Sequence, residues 1–148
     1  MESEKKYCYV YPRPAVTTDC VVFGLSGKEI NLLLIERKNE PYKGYWAIPG
    51  GFLNMDEDAK TGAQRELTEE TGLSNIPLIQ FHTFSAVNRD PRHRTISIAY
   101  YAIIKLDEYT VRAGDDAAQA QWFPLHQLPP LAFDHTDIVQ MAIKTAFP

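Results

Sequence analysis

The chain has 148 residues, 45% of them apolar and 23% charged, with a formal net charge of -4 and a pI near 5.5. That suits one ordinary soluble globular domain with a real core, and its acidic balance argues against a partner held by nucleic-acid backbone contacts, though not against a phosphorylated small molecule gripped by a few arginines or a metal ion. Cys8 and Cys20 make neither a disulfide framework nor a zinc signature, the opening MESEKKYCYVYPRP lacks the apolar run of a signal peptide, and no stretch approaches the roughly 20 apolar residues of a membrane helix, so a cytoplasmic protein of a single domain, residues 1–148, without membrane contact is expected.

Ala15 to Phe23 (AVTTDCVVF) is rich in β-branched residues and reads as a strand, and Gly24 to Gly27 as a turn. Ile30 to Ile35 (INLLLI) is a buried strand, with Glu36, Arg37 and Lys38 leaving the core. Asn39 to Tyr45 is a loop, and Trp46 to Phe52 (WAIPGGF) is extended except at Pro49, Gly50 and Gly51. A helix begins near Asp56, which can cap it, with Glu57 and Asp58 at the positive end of its dipole and Gly72 at its C-terminal end. Ala59, Ala63 and Leu67 form its packing stripe, with Gly62 in mid-helix. Leu78 to Phe84 and Ile96 to Leu106 read as strands, joined by the charged loop SAVNRDPRHRT. Asp107 to Ala118 is a loop, Gln121 to Phe123 is short and extended, and Pro124 to Leu131 is a proline-rich connection. Asp134 caps a last helix with Asp137 as a capping-box partner, and Ile138, Met141, Ala142 and Thr145 are its packing face. This order of strands and helices predicts an α/β fold with helices on both sides of a mixed sheet.

The first helix carries an unusual group of acids. With Glu66 as the reference, Glu69 lies about 60° to one side and Glu70 about 40° to the other, so three carboxylates share an arc of roughly 100°. Like charges three and four residues apart repel. A solvated acidic face tolerates this, and a hard divalent cation benefits from it, because Mg²⁺ takes oxygen ligands while keeping waters and bridging to phosphates. Pro49-Gly50-Gly51 can bring a backbone carbonyl close to the carboxylates. Arg65, four residues before Glu69, can pair with it and fix it.

Gly51, Glu57, Arg65, Glu66, Leu67, Glu69, Glu70, Gly72 and Leu73 fill every fixed position of the signature of the Nudix hydrolases, and with WAIPGG and the flanking strands the chain resembles that family from about Ala15 to the last helix. The resemblance implies a Nudix-type alpha/beta/alpha sandwich and a hydrolase, dependent on Mg²⁺ or Mn²⁺, of compounds in which a nucleoside diphosphate is linked to another group. By that resemblance Glu66 and Glu70 are the main metal ligands, Glu69 is a further or water-mediated one, and the Gly50 carbonyl is the backbone ligand. Glu57 supports the site. It stands nine residues before Glu66, on the opposite side of a regular helix, and belongs nearer Arg65. The general base is either Glu70, inside the signature, or Asp115 or Asp116, far along the chain in RAGDDAAQAQW.

The loop NRDPRHRT sets Arg89, Arg92, His93 and Arg94 together in an otherwise acidic protein, and guanidinium groups match phosphates bidentately. With the following strand, and with LAFDHTDIV near the end, it is similar to the ADP-ribose pyrophosphatase branch and to transcription regulators that share its domain. The regulators carry a further DNA-binding module, for which a chain stopping at Pro148 has no room, so a nucleic-acid role is set aside. Arg89, Arg92 and Arg94 are the expected substrate contacts. Phe52, Tyr42 and Trp46 can stack on a base or serve as packing, and His135 can touch substrate or sit in the first helical turn. The expected reaction is ADP-ribose to AMP and ribose 5-phosphate. The alternatives are a nucleoside triphosphate pyrophosphatase and a nucleotide-sugar sensor without turnover. Three tyrosines in YCYVYPRP, outside the core pattern, suggest an interface, and the resemblance implies a homodimer.

Overall fold

The computed structural model describes residues 6–114 and 117–148, in which the strands run β1 (Ala15–Ser26), β2 (Glu29–Arg37), β3 (Trp46–Ala47), β4 (Gly50–Phe52), β5 (Ile79–Phe84), β6 (Thr95–Lys105) and β7 (Ala117–Pro124). Two α-helices, α1 (Ala59–Thr71) and α2 (His135–Ala146), and two short 3-10 turns, Leu106–Glu108 and Leu125–Gln127, are the helical elements among the described residues. Among the described residues the strands form one sheet, ordered β3-β2-β1-β6-β5, with β4 also on β1 and β7 on β2. β1 and β6 are parallel, and the other pairings are antiparallel. This is the α/β sandwich with helices on both sides of a mixed sheet that the order of elements predicts.

Alternation along the central strands explains the two-sided core. Cys20, Val22 and Leu33 face α1 through Ala63 and Leu67, while Val21, Phe23, Leu32 and Leu34 face α2 through Ile138, Val139 and Ala142. A strand covered on both faces has no polar side, which is why INLLLI is a continuous apolar run. α1 lies close, because a Cβ on Gly62 would sit 2.5 Å from Leu53 Cδ1.

One edge of β1 is shared. Thr17 to Asp19 pairs with β4, and Phe23 to Ser26 pairs with β2, while β6 runs along the whole of the other edge. The two partners separate between Asp19 and Phe23, and residues around that divergence line the main cleft.

Some expected boundaries shift. α1 is capped two residues later than expected and starts at Ala59, because Asp58, not Asp56, is the residue whose carboxylate accepts from the Thr61 N–H at 2.9 Å. The turn after β1 is shorter than expected, since β1 reaches Ser26 and β2 begins at Glu29. β7 is longer than Gln121–Phe123, because AAQAQWFP pairs along β2 with a register shift at Glu36/Arg37. Asp134 precedes α2 but makes no side-chain cap bond, its carboxylate being taken by Arg89. Thr145 is exposed, and Val139 takes its place in the core. Among the described residues no helix is long and apolar enough to cross a membrane.

Candidate active site

The cleft, about 280 Å³, joins an acidic end to a basic one. Gly50, Gly51, Glu66 and Glu70 line the first, and Arg37, Lys38, Arg89 and Arg92 the second, with Phe52 and Phe133 in the walls. At the acidic end the glycine turn rests on α1. The Gly50 N–H donates to Glu70 Oε1 at 2.8 Å, and a Cβ on Gly51 would sit 2.5 Å from the Glu66 carboxyl carbon. Only glycine lets the backbone come this near the carboxylates.

Arg65 organises the acids. Its guanidinium donates to Glu57 Oε1 at 2.7 Å, to Glu66 Oε1 at 2.9 Å, to Glu69 Oε2 at 3.2 Å and to the Phe52 carbonyl at 3.2 Å. Hydrogen bonds to Glu57 are the first cause of a raised Arg65 pKa. The same bonds, and one from the Asn54 N–H, hold the Glu57 carboxyl below its ordinary range. Glu57 stands before the helix N-cap, so the helical wheel does not govern it, and it turns toward Arg65 as expected.

Glu66 and Glu70 meet the glycine turn, whereas the Glu69 side chain is 57% exposed and lies on the Arg65 side. Among the described residues no three His, Cys, Asp or Glu side chains close into a metal site of their own. Two carboxylates beside a glycine backbone still fit a hard cation that keeps waters and shares substrate oxygens. Opposite Gly51 on β1, the fully buried Thr18 hydroxyl has no hydrogen-bond partner among the described residues. Asp115 and Asp116 lie outside the described residues.

The four basic-loop residues separate. Arg89 is 4% exposed and bidentate on Asp134, at 2.8 and 2.9 Å. Arg92 is held by Asp90 at 2.8 Å and lies 5.1 Å from the Phe52 ring centre and 5.3 Å from that of Phe133. Burial works against the Asp90 charge, but the Arg92 bonds outweigh it and lower its pKa. Arg94 is exposed, bonds the Ala86 carbonyl at 3.3 Å and does not line the cleft. His93 packs beside Phe52, ring centres 5.6 Å apart. Trp46 packs on Phe123 and Tyr42 on Phe133, so neither lines the cleft. His135 lines it but is buried, with Nδ1 accepting from the Ile48 N–H.

Sequence reasoning missed Asp19, Arg37 and Phe133 as cleft residues. Arg37 donates to the Pro41 carbonyl at 2.8 Å and lies 5.0 Å from the Phe133 ring centre. Burial first, and then Arg92, lower its pKa, as expected for two cations facing one cleft. Phe133 holds a φ of 53°, a left-handed conformation rare for a bulky residue. No local pattern announces any of the three, because their neighbours in the cleft are distant in sequence.

The family model described as NUDIX domain matches residues 13–142. An ADP-ribose pyrophosphatase of Methanocaldococcus jannaschii is 43% identical over 138 residues, which is 92% of this chain and 76% of that protein. An ADPR responsive transcriptional repressor of Acinetobacter baylyi is 35% identical over 136 residues, 89% of this chain and 54% of the repressor. The solved NUDIX domain of Shewanella oneidensis NrtR, complexed with ADP ribose, matches with a TM-score of 0.86 at 27% identity, covering 92% of this chain and 90% of that one. Hydrolases of this family generally require a divalent metal ion. With the full signature folded around a glycine turn and the match running through most of the chain, this protein belongs to the NUDIX family of hydrolases.

Proposed function

We propose that this protein hydrolyses ADP-ribose to AMP and ribose 5-phosphate, using Mg²⁺ or Mn²⁺. The observation that carries the reading is one cleft with carboxylates at one end and guanidiniums beside aromatic rings at the other. A substrate with a pyrophosphate between two sugars needs both. The similarity to an ADP-ribose pyrophosphatase supports the choice of substrate.

Glu66, Glu70 and the Gly50 carbonyl would hold the cation, with Glu69 as a further or water-mediated ligand. When bound there it would neutralise pyrophosphate charge and lower the pKa of an attacking water. The chain's own residues do the rest. Arg65, fixed by Glu57, holds Glu66 and Glu69 against their mutual repulsion. The Gly50 N–H holds Glu70 Oε1. Arg92, oriented by Asp90, offers its guanidinium to a phosphate or the terminal ribose, and Arg37 faces the same space. Water adds to one phosphorus, its proton passes to a carboxylate base, and the anhydride P–O bond breaks to leave the second phosphate. Glu70, Asp115 and Asp116 are the candidates for that base.

A panel of ADP-ribose, other nucleoside diphosphate sugars and nucleoside triphosphates, with each metal and products identified, tests this. Rapid ADP-ribose turnover with poor triphosphate turnover is expected. The reverse makes the protein a triphosphate pyrophosphatase. ADP-ribose binding without turnover makes it a sensor, the reading that its likeness to an ADPR responsive repressor favours. We read it as a cytoplasmic homodimer without a nucleic-acid partner. Exposed Tyr7, Tyr9 and Tyr11 motivate the dimer, and a monomeric mass at micromolar concentration would refute it.

A further inference from the structure

Behind the glycine turn runs a buried polar network that the proposed hydrolysis does not use. His135, the first residue of α2, has a side chain 7% exposed, and its Nδ1 accepts from the Ile48 N–H at 3.1 Å. That bond fixes the tautomer, because a ring nitrogen that accepts carries no proton. The proton is therefore on Nε2, which faces Asp19 Oδ1 at 3.8 Å. Asp19 is itself buried, and its Oδ2 accepts from the Thr17 hydroxyl at 3.4 Å and closely from the Ser97 hydroxyl. Its Oδ1 also lies against the turn, 2.5 Å from where a Cβ on Gly50 would be.

The turn is thus held at three successive residues. Ile48 donates to His135, Pro49 accepts from the Cys20 N–H at 2.8 Å, and Gly50 donates to Glu70 at 2.8 Å. The last contact comes from α1 and the first from α2, on opposite faces of the sheet. Ile48 is 2% exposed, so without His135 its N–H would be a buried orphan, and such groups in native proteins find a partner by moving.

We propose that His135, backed by Asp19, is a positioning residue that holds the Ile48–Gly50 turn where Gly50 presents its backbone to the cation site, and that it does not bind substrate. This rests on the reading that Gly50, Glu66 and Glu70 form that site. A residue that fixes the backbone leading into a ligand affects the metal by orienting that ligand.

The test compares H135L, H135N and H135Q. Asn sets its oxygen close to where Nδ1 stands, Gln carries its amide further toward Asp19, and Leu accepts nothing. Mn²⁺ affinity is measured without substrate by electron paramagnetic resonance, with the amide shifts of Ile48 and Gly50, the melting temperature, and kcat and KM for ADP-ribose. H135L and H135Q are expected to weaken Mn²⁺ binding about tenfold, move both amide signals and lower kcat with KM little changed, while H135N recovers most of these losses. A folded H135L or H135Q with wild-type Mn²⁺ affinity and unmoved Gly50 signal overturns the proposal. So does an H135N that fails as badly as H135Q, or a defect confined to KM. If H135L does not fold, the Asn and Gln variants decide between them. A wild type that binds Mn²⁺ but leaves ADP-ribose intact refutes the substrate and spares the positioning. A wild type that binds no Mn²⁺ refutes the cation site, and the amide signals then test the turn alone.

Discussion

Arg89 and Asp134 offer a sharp test of which loop arginine is structural. The pair is bidentate, at 2.8 and 2.9 Å, with side chains 4% and 18% exposed, and it ties the basic loop to the start of α2. R89M keeps the apolar stem and removes the charge, leaving an Asp134 that water can partly reach. D134A leaves a guanidinium with almost no access to water. Breaking a buried pair by removing one partner costs about 3–5 kcal/mol. The exposure difference places R89M near the lower figure and D134A near the upper. At about 2–4 °C per kcal/mol for a chain of this size, R89M should lower the melting temperature by roughly 6–12 °C. Urea denaturation of both single variants and the double variant gives the coupling energy, expected near 2 kcal/mol. A coupling below about 0.5 kcal/mol, or an R89M more damaging than D134A, would refute the argument that Arg89 serves the fold through Asp134.

E70Q should keep the fold and lose most of kcat at saturating Mg²⁺, because it deletes a charge from the carboxylate end; near-normal kcat would show that Glu70 is neither ligand nor base. R92A should raise KM for ADP-ribose by about 1.5–3 kcal/mol in binding terms with little loss of stability, while R94A, outside the cleft, should do much less, and wild-type kcat/KM in both would mean the loop does not read substrate. G51A should lower activity far more than stability, since its methyl would press on Glu66, and steady-state kinetics beside a melting curve would show a G51A of wild-type activity to contradict that contact. The pH dependence has a definite sign. The folded-state pKa of Glu57 lies below its ordinary value of 4.5, so its bonds to Arg65 stabilise the fold at neutral pH and are lost as pH falls through that depressed value. The melting-temperature gap between wild type and R65M should therefore be full at pH 7 and narrow below pH 4.5; a gap independent of pH would sink the assignment.

The strands and both helices were legible because periodicity and glycine placement are local signals. INLLLI and AVTTDCVVF read directly, and Gly72 ends α1 in the left-handed conformation, φ 80°, with its N–H on the Thr68 carbonyl. The signature from Gly51 to Leu73 was legible as spacing. Its working contacts were legible only in part. Sequence places Glu66, Glu69 and Glu70 on one arc, but the partners decide their surroundings. Glu70 turns to the Gly50 N–H and is buried, and Glu69 turns to Arg65 and water. The basic loop shows the same limit. Nothing in NRDPRHR distinguishes Arg89 from Arg92 or Arg94, and what separates them is Asp134, Asp90 and the Ala86 carbonyl. Asp19 was illegible as a cleft residue, since it sits in a strand that reads as core until the divergence of β4 and β2 from β1 opens space beside it, and Arg37 reads only as leaving the core, with nothing local to say that it faces the cleft.

Phe133, Asp134 and His135 are consecutive, and each reaches a different part of the cleft wall. Asp134 holds the basic loop through Arg89, His135 holds the glycine turn through Ile48, and Phe133 stands between Arg37 and Arg92. On a regular helix three successive side chains would fan over about 200° and could not all serve one cleft wall. The chain instead turns sharply at Phe133, whose φ of 53° carries a strain of about 1–3 kcal/mol. Two backbone bonds brace the turn, from the Ala132 N–H to the Trp46 carbonyl at 2.8 Å and from the His135 N–H to the Ala132 carbonyl at 3.1 Å. The strain has a local return, since the same turn fastens both ends of the cleft to one rigid helix. The pyrophosphate proposed to lie between Glu66 and Arg92 would need those ends at a fixed separation, and α1 alone sets only one of them.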